Sequence, residues 1–291
     1  MLNPEYRWLS KYDYEIVKRT CLEEVFPEFG KKSSRGREGA FDRMLFMRRV
    51  NFDLSVGAFD HHQMIGFALM GTGIFKNHMS VHDCGVGTIP THRNQGVSSG
   101  MLDFFVTQFP LKSPIKHAFI TVKPRNLKES LGRICEKAGY VYQDDLHSYK
   151  LTSKKAFVPL NTHKFHIHSV AQPNWTIYQE WQRSFAAWER TQEAITINAP
   201  YEVFLEAYDH NQLVGFLIGD PRYGKISQIG VQPGYEKDST FFELIEHFHQ
   251  IAPHKYLRLL NINTQEVDLI ETLQQLGFTK INELEELKYA F

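Results

Sequence analysis

"IPTHRNQGVSSGMLDFF", residues Ile89 to Phe105, passes from a proline through a basic residue and a glycine into apolar positions at helical spacing. With "VHDCGVGT" before it, the pattern predicts a strand that stops at Pro90 and a helix that starts near Val97. The loop between them leaves backbone N–H groups beside the first turn of the helix, whose own N–H groups lack intrahelical acceptors. Together they form an anion cradle at the positive end of the helix dipole. Gly96 lets a phosphate approach the backbone. Arg93 adds a charged fork, and Ser98 and Ser99 are small donors. No acidic side chain lies between Pro90 and Met101. The stretch suits a pyrophosphate, with Arg93, Asn94, Gln95, Gly96, Val97, Ser98 and Ser99 as its candidate contacts.

The chain attempts the same passage twice. "GAFDHHQMIGFAL" (Gly57 to Leu69) matches "EAYDHNQLVGFLI" (Glu206 to Ile218) in order, Pro90 matches Pro233, and "KAGYVY" (Lys137 to Tyr142) matches "QLGFTK" (Gln275 to Lys280). A period of about 140 residues is too long for a solenoid unit and is one whole duplicated domain. Each half predicts an amphipathic helix (Asp13 to Phe26; Trp175 to Thr191) and two strands joined by a tight polar turn (Leu54 to Met70; Tyr201 to Ile218). A strand ending at the proline comes next. A helix (Val97 to Phe109; Ser239 to Ile251), a strand (Ile115 to Lys123; Lys255 to Asn263) and another helix (Leu127 to Lys137; Glu266 to Gln275) follow, and a Gly-aromatic turn leads into final strands. Helices alternate with strands only late in each half. The fold class is therefore α/β with an α+β mixed sheet, antiparallel first and with a parallel crossover later. The domains are placed at 1–152 and 164–291, with a polar linker between them.

The order strand, proline, Arg93, Gly96, apolar helix, strand, helix, Gly-aromatic resembles the GNAT acetyltransferase superfamily. "RNQGVS" fits its acyl-coenzyme A signature, with Ser98 in the last slot, and "RICEKAGY" is similar to its later helix and turn. The resemblance implies two tandem GNAT-like domains, acetyl-CoA as cofactor and an N-acyltransferase. It implies that the strand before the loop splays from its neighbour, and that backbone at Val86, Thr88 and Ile89 holds the pantetheine arm and polarises the thioester. The amine attacks directly, so a base or a water relay suffices. The family often places its base on this strand, where His82 and Asp83 lie on opposite faces, each with a structural role as the other reading. The family's tyrosine acid, four residues before Gly139, is replaced by Cys135. A thiolate of pKa about 8.5 leaves without much help, and Cys135 also reads as a small buried apolar residue. Asn126 corresponds to the family's pantetheine-contacting Asn.

The later copy has lost the signature. Glu236, Asp238 and Ser239 fill the slots of Arg93, Gln95 and Gly96. A carboxylate about 5 Å from a phosphate charge, at an effective dielectric near 20, costs about 3 kcal/mol. The second half is expected to keep the fold without the cofactor, as a wall of the acceptor site or a dimer surface. The acceptor is read as a primary amine on a small molecule, with a peptide or protein N-terminus or Lys as the alternative. The competing reading is a non-catalytic acyl-CoA sensor with the same fold. A Rossmann-type unit is disfavoured, because it puts its Gly-rich loop after the first strand.

Composition narrows the rest. The 291 residues carry a formal net charge of +0, which gives no electrostatic footprint for nucleic acid or an anionic membrane. Three scattered cysteines suggest neither a disulfide framework nor a zinc site, and point to a reducing, cytoplasmic setting. No stretch has the apolar length of a membrane span. "KKSSRGREG" (Lys31 to Gly39) reads as a lid or as a solvated loop. "HKFHIHS" puts His166 and His168 on one strand face near His163, but no carboxylate or Cys accompanies them, so an ordinary strand is preferred and no metal is expected.

Overall fold

The computed structural model describes residues 3–27, 39–124, 131–152, 164–182, 184–236, 239–252 and 256–291. Asn126, Asp238, His163, the linker at 153–163 and all of the basic segment except Gly39 lie outside them. Two compact units emerge: Met1–Gln143 together with Glu285–Phe291, and Asp144–Leu284.

In the first unit, β1 (Glu5–Trp8) precedes α1 (Tyr14–Arg19). The predicted helix continues past α1 as a π-helical turn, Thr20–Val25, which buries Cys21 and Val25. Then come α2 (Ala40–Met47), β2 (Val56–Asp60), β3 (Gln63–Phe75), β4 (His78–Thr88), α3 (Val97–Lys112), β5 (His117–Val122), α4 (Leu131–Lys137) and β6 (Val141–Leu151). β1 to β4 are antiparallel neighbours in sequence, and β4 pairs parallel with β5. A Cβ on Gly66 would meet Val97 and Met101 of α3, and one on Gly87 would meet Val25. These two helical segments therefore cover opposite faces of the sheet. The core between them is apolar, with Phe67, Leu69, Phe105 and Phe109 fully buried.

The second unit repeats the plan with β7 (His166–Val170), α5 (Trp175–Glu180), α6 (Gln192–Asn198), β8 (Val203–Asp209), β9 (Gln212–Asp220), β10 (Lys225–Val231), α7 (Thr240–Ile251), β11 (Leu257–Asn263), α8 (Val267–Gln275) and β12 (Thr279–Ala290). Even the defects recur. The hairpin turns put His61 and His210 at positive φ. The following strands slip at Ala58/Phe59 and at Ala207/Tyr208. β4 bulges at Cys84 between Leu69 and Met70, and β10 bulges at Ser227 between Ile226 and Gln228.

Two expectations need correcting. The helix expected over Trp175 to Thr191 stops at Glu180, and only a single 3-10 turn, Trp188–Arg190, follows. The chain is drawn out there by contacts to the sheet, described below. The division into units also differs from limits of 1–152 and 164–291, because the last strand of each repeat leaves its own half. Leu146–Leu151 of β6 pair with β11 in the second unit, and Glu285–Ala290 of β12 pair with β5 in the first.

Candidate functional site

In the first unit, the parallel pairing of β4 with β5 covers only Ser80 to His82. Beyond His82 the two strands part. Ile89 N–H donates to the Ile65 carbonyl at 3.0 Å, so Thr88 and Gly66 form a non-hydrogen-bonded pair. By alternation, the N–H and C=O groups of Val86 and Thr88 point away from β3, toward the gap. Ile89 does not share this role: its N–H serves Ile65 and its carbonyl accepts from His92 N–H. The splay thus offers both backbone groups of Val86 and the N–H of Thr88, whose carbonyl accepts from Arg93, and removes Ile89 from the expected set.

The loop at the top of the gap is exposed. Asn94 and Gly96 sit at φ +61° and +83°, which turns the chain sharply into α3. Among the described residues, the N–H groups from Asn94 to Ser99 have no hydrogen-bond acceptor, and Gly96 caps α3 without a side chain. A Cβ at Gly96 would meet nothing within 4 Å, so the approach to these N–H groups is open. Arg93 Nε donates to the Thr88 carbonyl at 3.1 Å, which anchors the guanidinium at the mouth. Ser98 and Thr88 hydroxyls lie 3.1 Å apart. Gln95 turns back to donate to Thr91 O at 2.9 Å. A cleft of about 570 Å³ runs from this loop along Val86 to Thr88, walled by Val25 and Phe26 on one side and by Leu131 and Ile134 on the other.

At the base of the gap, Asp83 Oδ1 accepts from Thr121 N–H at 2.8 Å. The carboxylate thereby satisfies a β5 donor that the parting of the strands leaves over. Across the bulge, Arg48 Nη1 donates to Cys84 O at 2.9 Å. His82 lies on the other face, 3 % exposed, between Phe75 and Phe119, with Nδ1 2.8 Å from Asp83 O. Its Nε2 stands 4.0 Å from Glu286, which also pairs with Lys76. Burial pulls the His82 pKa down, but Glu286 and Asp83 push it up further, and the net shift is upward. Cys135 is fully buried, and burial followed by Asp83 pushes its thiol up to about 12. It sits in the core with Tyr140, whose pKa burial also raises. Arg48, Lys76 and Glu286 were not legible as partners of this site. Glu286 reaches it only because β12 crosses to this unit.

No family model matches the chain, and no curated protein does. Solved structures do. A tandem GNAT protein from the clavulanic acid biosynthesis pathway covers 99% of this chain and 98% of its own, at 12% identity and a TM-score of 0.63. The fold is that of the GCN5-related N-acetyltransferases, in tandem. A GCN5-related N-acetyltransferase from Sphaerobacter thermophilus is similar over 99% of this chain and 95% of its own, at 10% identity and TM-score 0.62. A candidate acetyltransferase from Pyrococcus horikoshii covers 100% of this chain and 90% of its own, at 13% identity and TM-score 0.66.

In this GNAT fold, the second copy repeats the splay but fills it differently. β10 pairs with β11 only at Lys225 and Ile226. Gln232 N–H donates to Val214 O, the counterpart of Ile89 to Ile65. Where the first loop leaves its N–H groups open, Glu236 Oε2 accepts from Gly234 N–H at 2.7 Å, so the loop carries an anion of its own. At the base, as Arg48 takes the bulge carbonyl of Cys84 in the first copy, Arg190 takes the bulge carbonyl here. Its Nε donates to Ser227 O at 2.6 Å, and its Nη1 to Leu260 O and Asn261 O at 3.1 and 3.2 Å. Ser184 N–H and hydroxyl donate to Glu266 at 2.9 and 2.7 Å. These contacts hold 184–187 out of a helix where one was expected. His168, one of the candidate ligands weighed above, stacks on Tyr208 at 5.0 Å.

Proposed function

We propose that the first unit binds acyl-coenzyme A and transfers its acyl group to a primary amine on a small molecule. The observation that carries this reading is the row of open N–H groups from Asn94 to Ser99, beside Arg93, at the head of a cleft lined by the free edge of β4. The residues fit such a ligand. The N–H groups and Arg93 would take the diphosphate, and Val86 and Thr88 would pair with the extended pantetheine arm. Bound acyl-coenzyme A would supply an activated thioester. The chain's own part is to orient it, to exclude water with Val25, Phe26, Leu131 and Ile134, and to aim an edge N–H at the thioester oxygen.

The proton lost by the amine needs a path. Asp83 is already engaged with Thr121, so we assign it to holding the gap open. We assign His82 to a water relay, with Glu286 holding the imidazole. Asn126, outside the described residues, remains a further candidate for the arm. Titration of the full chain with coenzyme A and acetyl-coenzyme A tests binding. Release of coenzyme A against a panel of amines tests turnover.

A second reading has an observation of its own. His82 and Cys135, the candidate proton carriers, are both buried. A unit that binds acyl-coenzyme A as a sensor, without turnover, would also have this cleft. Tight binding with no release of coenzyme A for any amine would select it.

A further inference from the structure

The second unit holds a cleft of its own, about 80 Å³ deep inside, bounded by Trp181, Ser184, Arg190, Ile229, Phe241 and Glu266. It occupies the place in this copy that the acyl-coenzyme A cleft occupies in the first, yet its charges differ. Arg190 is 93 % buried, being 7 % exposed. Three backbone carbonyls take its Nε and Nη1. Carbonyls satisfy N–H groups but do not neutralise the ion, and an uncompensated buried charge is costly. Burial accordingly depresses the Arg190 pKa, against the opposing pull of Glu189 and Glu266, although a guanidinium stays charged. No carboxylate comes within ion-pair distance of it among the described residues. Its Nη2 has no hydrogen-bond partner among them.

A matching acceptor faces the same space. Glu266 takes both Ser184 bonds on Oε1, and its Oε2 has no partner among the described residues. Among the described residues, one small cleft, whose wall also carries Glu180, Glu236 and Asp268, is thus lined by an open donor of positive charge and an open acceptor of negative charge. Each is braced by bonds that fix its position. Ile229 and Val231 add edge N–H and C=O groups, by the same alternation that exposes Val86 and Thr88.

We infer that this cleft binds a small zwitterionic amino acid, its carboxylate on Arg190 and its ammonium on Glu266. The pairing gives each of these two groups an opposite charge. A charge-assisted bond to the buried Arg190 is stronger than its exposed equivalent. A volume of about 80 Å³ has room for only a handful of waters, which suits a small amino acid. The open oxygen of Glu266 on the cleft wall disfavours a lone anion or a diphosphate. The ligand is therefore neither a second acyl-coenzyme A nor a simple acid.

Calorimetric titration of the full chain with glycine, acetate and methylamine in separate arms tests the inference. Saturable binding of one glycine per chain is expected, with acetate and methylamine each at least about 10-fold weaker. Arg190→Lys removes the guanidinium fork and should weaken glycine by about 10-fold or more. Because Arg190 also braces the sheet, Ala186→Phe supplies an independent block: it fills the cleft from its rim and leaves every Arg190 bond intact. Thermal melting identical to the parent, with glycine binding lost, is the expected result for Ala186→Phe. Absence of glycine binding in the parent chain overturns the inference, as does acetate binding as tight as glycine, or glycine binding unchanged in Ala186→Phe. None of these readouts depends on acyl-coenzyme A, so the two readings fail separately.

Discussion

At the residue scale, Arg93 and Gly96 were legible because what they do is local. The guanidinium stands a few residues from the N–H groups it assists, and a glycine at φ +83° is required by the turn itself. Arg93→Ala should lower coenzyme A affinity by about 10- to 100-fold, the worth of one hydrogen bond to a charged group. Its loss should be smaller in high salt. Gly96→Val should cost about 1–2 kcal/mol of stability, through the left-handed backbone and not through a clash, since the space around it is open. His82 could be nominated from its strand, but its environment could not be foreseen, because Glu286 lies at the far end of the chain. That environment fixes a pH dependence. The folded-state pKa of His82 is raised above its unfolded value. The folded state therefore holds the proton more tightly, and this contribution is fully present below about pH 6.5 and is lost as pH rises through the folded pKa. His82→Gln should flatten the fall in melting temperature on the alkaline side of that value. A parent protein whose stability rises across the same window contradicts the assignment.

At the element scale, the duplicated hairpins and the strand–helix passage were readable from hydrophobic alternation and turn residues. Alternation states which face of a strand is buried, but not which strand lies beside it. The exchange of last strands was invisible for that reason. β12 reads as an ordinary closing strand of the second copy, yet its end supplies Leu287, fully buried, and the Glu286 partner of Lys76 to the first unit. The expected helix over Trp175 to Thr191 failed differently. Its apolar spacing is helical, but Arg190 finds partners on the sheet and Ser184 finds one in Glu266 at the head of α8. The exchange makes a directional prediction. Leu287→Ala should destabilise by about 2–5 kcal/mol, as for a large-to-small change in a core. The loss should appear as reduced coenzyme A binding on warming, although the substitution lies in the last strand of the later copy. Hydrogen exchange should report it as faster exchange in β5, the strand paired with Leu287 through Ile120. Unchanged protection of β5 would falsify the pairing.

At the scale of the whole molecule, the two copies share register, bulges and splay but differ in what fills the splay. The first presents open N–H groups and an arginine at its loop. The second satisfies part of its loop with Glu236 and braces its base with Arg190. This difference was half legible: the sequence supplied the acidic loop, and only the fold brought Arg190 to the gap from a segment that reads as helix. A chain that bound acyl-coenzyme A equally in both copies would titrate with two equivalents. One equivalent is expected here, because a carboxylate about 5 Å from a phosphate costs about 3 kcal/mol, or more than a hundredfold in affinity. Arg93→Glu places such a carboxylate at the first loop and makes the decisive measurement. If the first loop is the sole site, this variant should lose binding entirely, not by half, while its melting temperature stays near that of the parent, since Arg93 is exposed and, among the described residues, its side chain hydrogen-bonds only to the Thr88 carbonyl. A residual equivalent of unchanged affinity in Arg93→Glu would place the cofactor in the second copy and reverse the roles assigned to the two halves.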